Sequence, residues 1–353
     1  MKKTEKKQRG SIGLKTLKML WSMVVLSSFL FSACSSNEAS TPGDIIPPGK
    51  TPKDGVFSKR GDNSFVYKKY TPLADKPVTV YYYIPTKGNI ADMPVLFSMH
   101  GAERDGTIQR NAWKYFAEAN EFIVIAPEYS HENGYAENDY QFGGVFKDSK
   151  FNELNPKEKW TYQTIEALFD YFKNETDSKV TTYNIFGHSA GGQFVHRFLL
   201  AMPEARVQTA VAANPGSWTF PYIDGILGTD DKIYGWPYAV KNSPFNTESI
   251  LTQFFSKKLW IQLGQLDIDE NDSSLPKDAP SNAQGLHRLA RGRFFYEETK
   301  RIAESLNTSY AFHIAEVADA GHSTLRMIYG RAVSNPTVIS NTGTNCAFDL
   351  IFK

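Results

Sequence analysis

The segment Gly187-His188-Ser189-Ala190-Gly191-Gly192 constrains this chain more than any other. The run before it, 179–186, is β-branched and aromatic enough for a buried strand, and Gln193 to Leu200 continue with helical spacing. Small residues on both sides of a serine, between strand and helix, describe a nucleophile elbow. The turn is sharp enough to need glycine, and Ala190 and Gly191 leave the serine oxygen clear. Ser189 is therefore the candidate nucleophile.

The order of elements sets where such an elbow can sit. Apolar runs mark strands at 64–70, 78–84, 95–99, 122–126, 182–186, 207–213, 259–263 and 311–317. Helical spacing marks 107–119, 156–174, 193–202, 283–306 and 324–333, the second starting with Asn155 as cap and Pro156 in the first turn. Two strands precede the first helix, and strand and helix then alternate. This predicts an α/β fold: an eight-stranded, mostly parallel sheet with an antiparallel start and helices on both faces. Active groups then belong at the carboxyl ends of the strands.

The N-terminus carries a different signal. Lys2, Lys3, Lys6, Lys7, Arg9, Lys15 and Lys18 precede an apolar stretch from Met19 to Phe31, followed by Ser32-Ala33-Cys34. The order of charged, apolar and small residues is that of a secretory signal, and the cysteine after Ala33 resembles a bacterial lipobox. The expectation is a lipoprotein signal peptide over 1–33, lipid attachment at Cys34, a Ser/Pro/Gly-rich tether over 34–59, and one domain over 60–353. Cell-envelope localisation follows; Ser35 after the lipidated cysteine favours the outer membrane if the source is Gram-negative.

Cleavage removes seven Lys or Arg and one Glu from a chain of net charge +1, leaving −5. A mildly acidic domain has no electrostatic footprint for nucleic acid. With Cys34 lipidated, Cys346 is the only thiol left, so no intrachain disulfide is available.

A serine hydroxyl needs a base and an orienting carboxylate. Of seven histidines, His188 and His196 lie in or just after the elbow, His313 lies within a strand, and His131 and His287 lack a turn signature. His322 in Ala318-Asp319-Ala320-Gly321-His322 follows the last strand, with Gly321 permitting the turn, and is the candidate base. The acid belongs after a strand between Ser189 and His322. Asp267 and Asp269 both qualify, and Asp267 is favoured by its place in the first turn after Gly264. The spacing of this acidic loop does not match a twelve-residue calcium loop. For an oxyanion, the backbone amide of Ala190 supplies one donor, and that of Ala102, after Met99-His100-Gly101, supplies the second. No H-E-x-x-H or C-x-x-C motif occurs, and neither metal nor cofactor is expected.

With His100-Gly101, the elbow, Asp267 and Gly321-His322 in this order, the chain resembles the α/β-hydrolase superfamily. It is most similar to the secreted serine esterases related to polyhydroxybutyrate depolymerases and to feruloyl or acetyl xylan esterases. Asn214 to Thr219 and Gln284 to Arg288 look like stretches of the same group, although the longer glycine run of many lipases and the paired cysteines of several secreted esterases are absent. The resemblance implies hydrolysis of carboxylic esters through an acyl-enzyme on Ser189. The alternatives are a serine peptidase of prolyl-oligopeptidase type and a non-catalytic lipoprotein that binds a glycan or polymer on the same fold.

Two long segments carry the aromatics that would select a substrate. The segment 128–154 holds Tyr129, Tyr135, Tyr140, Phe142 and Phe146, and 214–257 holds Trp218, Phe220, Tyr222, Tyr234, Trp236 and Tyr238. Loops of this length in a compact domain are usually functional or form small elements of their own. Tyr135 and Trp218 are the candidate substrate contacts, against the alternative that these rings only pack the loops onto the body.

Overall fold

Strand interiors made almost wholly of apolar residues demand cover on both faces, and the central strands show it. In a computed structural model, which describes residues 55–353 except Ser334, Asn335, Val338, Ser340 and Asn341, every residue of Val95–Met99 and of Tyr183–His188 is buried. Cys34, the signal segment and most of the expected tether lie outside the described residues. The described residues belong to one compact unit.

Eight strands form the main sheet: β1 Gly61–Tyr67, β2 Val78–Ile84, β3 Val95–Met99, β4 Ile123–Glu128, β5 Tyr183–His188, β6 Val207–Ala213, β7 Leu259–Gly264 and β8 Phe312–Val317. Their spatial order is β1-β2-β4-β3-β5-β6-β7-β8. β2 pairs antiparallel with both β1 and β4, and every later pairing is parallel. This is the sheet expected, antiparallel start included. Edge strand β1 alternates between more and less exposed positions, as a strand with one wet face must.

The period of two sends neighbouring strand residues to separate cores. Val95, Phe97 and Met99 join Phe169, Phe198, Phe254 and Phe295 on one face. These come from α2 Gln163–Thr176, α3 Ala190–Ala201, α4 Glu248–Phe255 and α5 Arg288–Ser305. Leu96 and Phe186 face the other core with Trp113, Phe116, Ile328 and Phe348, contributed by α1 Gly106–Asn120, α6 Thr324–Tyr329 and α7 Ala347–Phe352. α3 is buried on every side, so even its polar residues Gln193, His196 and Arg197 lie inside the protein. Among the described residues no helix is long and apolar enough to cross a membrane.

Several boundaries differ from expectation for identifiable reasons. The helix expected from Pro156 begins at Gln163, after a single 3-10 turn at Lys157–Lys159. The Asn155 amide does not cap it: it donates to the carbonyls of Gly144 and Phe146, at 2.9 and 3.1 Å. The helix expected over 283–306 is interrupted, since Gly285 adopts φ 137° and the His287 ring caps α5 by accepting from the Ala290 amide. The last expected helix stops at Tyr329, where Gly330 takes φ 68°. α4 and α7 were not anticipated. Phe57 is fully buried, so packing begins just before the domain boundary expected at Arg60.

Candidate active site

The elbow forms as its composition requires. β5 ends at His188, α3 begins at Ala190, and Ser189 between them holds φ 57° and ψ −118°. For a residue with a side chain that conformation costs roughly 1–3 kcal/mol. It is held by hydrogen bonds on either side: the Ser189 amide donates to Ala213 O at 2.9 Å, and Ser189 O accepts from the Gln193 amide at 3.0 Å. The flanking glycines are obligatory. A Cβ on Gly187 would stand 2.2 Å from Gly191 O, and one on Gly191 would stand 2.3 Å from Met99 O. The Ala190 N–H lies in the first turn of α3, where no intrahelical acceptor exists.

The loop after β3 is built around His100. Its Nε2 accepts the Tyr129 amide at 3.0 Å, so Nδ1 carries the proton and donates to Gly101 O at 2.9 Å. Its ring stacks on Tyr140 at 4.2 Å, and burial pushes its pKa down to about 3. His100 is thus a neutral strut of the loop, its two ring nitrogens already engaged. Arg104, at φ 58°, closes the turn through its amide to Gly101 O and lays its guanidinium over Tyr140. Ala102 sits inside this turn, beside Ser189 in a shared cavity.

The loops after β7 and β8 are laced together. The Gln265 amide donates to Val317 O at 3.1 Å and the Leu266 amide to Ala320 O at 2.8 Å. This brings Asp267 and His322 into contact, His322 Nδ1 lying 2.7 Å from Asp267 Oδ2. Asp269 is exposed and instead accepts the amide of Asn271, so the two aspartates are separated by geometry. Gly321 is not what permits the turn: its Cβ position is open to 3.7 Å, and the residue at positive φ is Asp319. Arg288 completes the group. Its buried guanidinium lies 3.3 Å from Asp267 Oδ1 and 3.2 Å from Asp272 Oδ2. The sequence offers Gln284 to Arg288 only as a stretch resembling the family group, because an arginine at the start of a helix gives no sign of pointing inward.

Ser189 opens onto two cavities. One of about 210 Å³ is lined by Gly101, Glu103, His188, Ser189, His322 and Thr324 among others. The second, about 380 Å³, includes Ala102, Ser189, Ala190, Gln193, Ser217 and Tyr238. A roomier hollow of about 530 Å³ near residues 221–227 and Phe294 shares no residue with either. The chemistry belongs with the smaller two, which contain the serine and the histidine.

Tyr135 and Trp218 are not in these walls. Both are fully buried. Trp218 stacks on Phe295 at 4.3 Å, and its backbone N–H and C=O are both taken by the Gln284 side chain. The Tyr135 hydroxyl donates to Lys76 O, and its ring meets Tyr129 edge-on. The loops do reach the second cavity, but through Phe142 and Tyr238.

No family model matches the chain, and neither does any curated protein. Solved structures do match. Poly(aspartic acid) hydrolase-1 from Sphingomonas sp. KT-1 is 37% identical, with a TM-score of 0.69 over 76% of this chain and 95% of that one. A poly(3-hydroxybutyrate) depolymerase from Bordetella parapertussis is 28% identical, with a TM-score of 0.68 over 76% of this chain and 86% of its own. Sheet order, elbow and these likenesses agree: the chain belongs to the α/β-hydrolase superfamily, among its serine hydrolases of carboxylesterase type.

Proposed function

We propose that this protein is a lipid-anchored serine hydrolase that cleaves carboxylic esters through an acyl-enzyme on Ser189. The observation that carries this reading is the 2.7 Å contact of Asp267 with His322 Nδ1, the histidine sharing a cavity with Ser189. Asp267 fixes the tautomer, which leaves His322 Nε2 to accept the Ser189 proton as Oγ attacks the ester carbonyl. The amides of Ala190 and Ala102 receive the oxyanion. The protonated His322 then gives its proton to the leaving alcohol. In the second half, water gives a proton to His322 as it attacks the acyl-enzyme, and His322 returns that proton to Ser189 Oγ as the acid leaves.

Both neighbours are named for polymers, which supports a polymeric or polymer-linked ester as the substrate. Attachment through a lipid on Cys34 would hold the domain at a membrane of the bacterial cell envelope, the outer membrane favoured, at the end of the 34–59 segment.

Hydrolysis of p-nitrophenyl acetate and butyrate by wild type and Ser189→Ala tests the reaction, and equal rates in the two would overturn it. A fluorophosphonate probe separates the alternatives: failure to label Ser189 indicates a binding protein, and turnover of peptides in place of esters indicates a peptidase. Retention of a Cys34→Ala variant in the membrane fraction would overturn the anchor.

A further inference from the structure

Arg197 is a helix-face arginine with no exposed surface, and its surroundings set it apart from the other buried charges. Nε donates to Thr219 Oγ1 at 2.8 Å, Nη1 to Gln193 Oε1 at 3.0 Å, and Nη2 to Ser217 Oγ at 3.2 Å and Pro237 O at 3.3 Å. Every acceptor is neutral. Arg291, equally buried, spends its guanidinium on the carbonyls of Gly285, Gly216 and Pro276 and on Asn282 Oδ1. Among the described residues neither arginine forms an ion pair, whereas Arg288 has two carboxylate partners. Burial pushes the pKa of Arg197 and Arg291 down to about 10, which leaves both charged at neutral pH.

These two charges stand directly behind the second cavity. Gln193, Ser217 and Pro276 line it, and Arg197 or Arg291 holds each of them by a hydrogen bond. Phe142, also in the wall, lies with its ring 4.9 Å from the Arg197 guanidinium. The network also orients Gln193. Arg197 Nη1 and the Ser217 hydroxyl both donate to one atom of its amide, which must therefore be oxygen. That leaves Nε2 as an unspent donor on a side chain that faces the cavity. Carboxylates occur only toward solvent: Glu103 and Glu137 are exposed at the mouth, and exposed Asp278 accepts the Tyr238 hydroxyl. Asp278 offsets part of the Arg291 charge from the solvent side, whereas among the described residues no carboxylate acts on Arg197, and its buried positive field behind a fixed amide donor is the environment of an anion site.

We propose that this cavity receives a carboxylate of the substrate, bound to Gln193 Nε2 in the field of Arg197 and Arg291, while the scissile ester lies at Ser189. The preferred substrates are then esters whose acyl chain ends in a carboxylate. This rests on the ester-hydrolase reading above, and the test separates the two. Wild-type kcat/KM should be at least tenfold higher for p-nitrophenyl hydrogen adipate than for p-nitrophenyl hexanoate of the same chain length. The preference should survive about 0.5 M NaCl, since buried charges are little screened. Gln193→Glu is nearly isosteric and supplies Arg197 with an internal counter-charge, so it should cut that ratio by at least tenfold. No preference in the wild type, or an unchanged ratio in the variant, overturns the proposal. If neither ester is hydrolysed in a Ser189-dependent way, the ester reading fails. The anion site is then judged by thermal shift: adipate, and not 1,6-hexanediol, should raise the Tm of Ser189→Ala, and no shift with adipate overturns it.

Discussion

The imidazole of His188 lies against that of His322, with ring centroids 4.5 Å apart. Thr324 Oγ1 is 3.0 Å from His188 Nδ1, so a neighbour of the candidate base is itself anchored to the loop that carries it. Burial, reinforced by His322 and Arg288, pushes the His188 pKa well below its ordinary value. A cationic His322 formed during turnover would thus face a neutral ring.

That neutrality carries a pH dependence. His100, His188 and His196 are all buried with lowered pKa values, desolvation being the main cause in each. In the unfolded chain each takes up a proton near pH 6.5, so below that pH the unfolded state binds more protons than the folded one. Their contribution to stability is intact above about pH 6.5 and falls as pH drops, by about 1.4 kcal/mol per pH unit for each histidine. In His188→Asn the amide can still reach Thr324, and urea unfolding between pH 4.5 and 6 should show a slope smaller by about one proton. Identical slopes would contradict a neutral His188.

The two aspartates should separate cleanly. Asp267 is 4% exposed and held between His322 and Arg288. Asp267→Asn should lower kcat for p-nitrophenyl butyrate by about 10³–10⁴-fold through the wrong imidazole tautomer, while Asp269→Asn stays within about threefold. Arg288→Met strands a buried carboxylate and should cost about 3–5 kcal/mol in urea unfolding. A larger loss of kcat in Asp269→Asn than in Asp267→Asn would reverse the assignment.

Elbow glycines offer a test of sterics independent of turnover. Gly191→Ala pushes a methyl to within 2.3 Å of Met99 O and 2.8 Å of His100 O, both backbone atoms in a buried strand end. The β3 loop must move, and a loss of about 3 kcal/mol or more is expected. Gly321→Ala meets nothing nearer than 3.7 Å and should stay within about 1 kcal/mol. Comparable losses at the two positions would mean that the elbow is not closely packed against β3.

The middle of the sheet was legible because its central strands are buried on both faces. β2, β3 and β6 match the expected boundaries, each being a run in which apolar and β-branched residues dominate. The convergence of Ser189, Asp267 and His322 was legible as a matter of placement, because all three follow strands at the carboxyl edge of the sheet: Asp267 meets His322, and His322 shares a cavity with Ser189. Helix starts were less so, since Asn155 could cap a helix or serve carbonyls across the loop, and only tertiary structure decides. Arg197 was missed for a related reason: an arginine on a helix reads as solvated unless the neighbouring Thr219, Ser217 and Gln193 are known to surround it. The aromatic loops were ambiguous because a tyrosine or tryptophan suits a core and a ligand wall equally.

Trp218 decides between those two uses. It has no exposed surface, stacks on Phe295 and meets His196 at 4.8 Å, so its ring ties the segment after β6 to α3 and α5. Truncation would leave a void in a close-packed core, and Trp218→Ala should lose about 3–5 kcal/mol in urea unfolding. Because the ring lines neither cavity beside Ser189, KM for p-nitrophenyl butyrate should change less than about twofold wherever the variant is folded. Phe142→Ala removes a ring from the wall of the second cavity and should raise KM for longer acyl chains with a smaller loss of stability. A large rise in KM for Trp218→Ala without loss of stability would return Trp218 to the substrate wall.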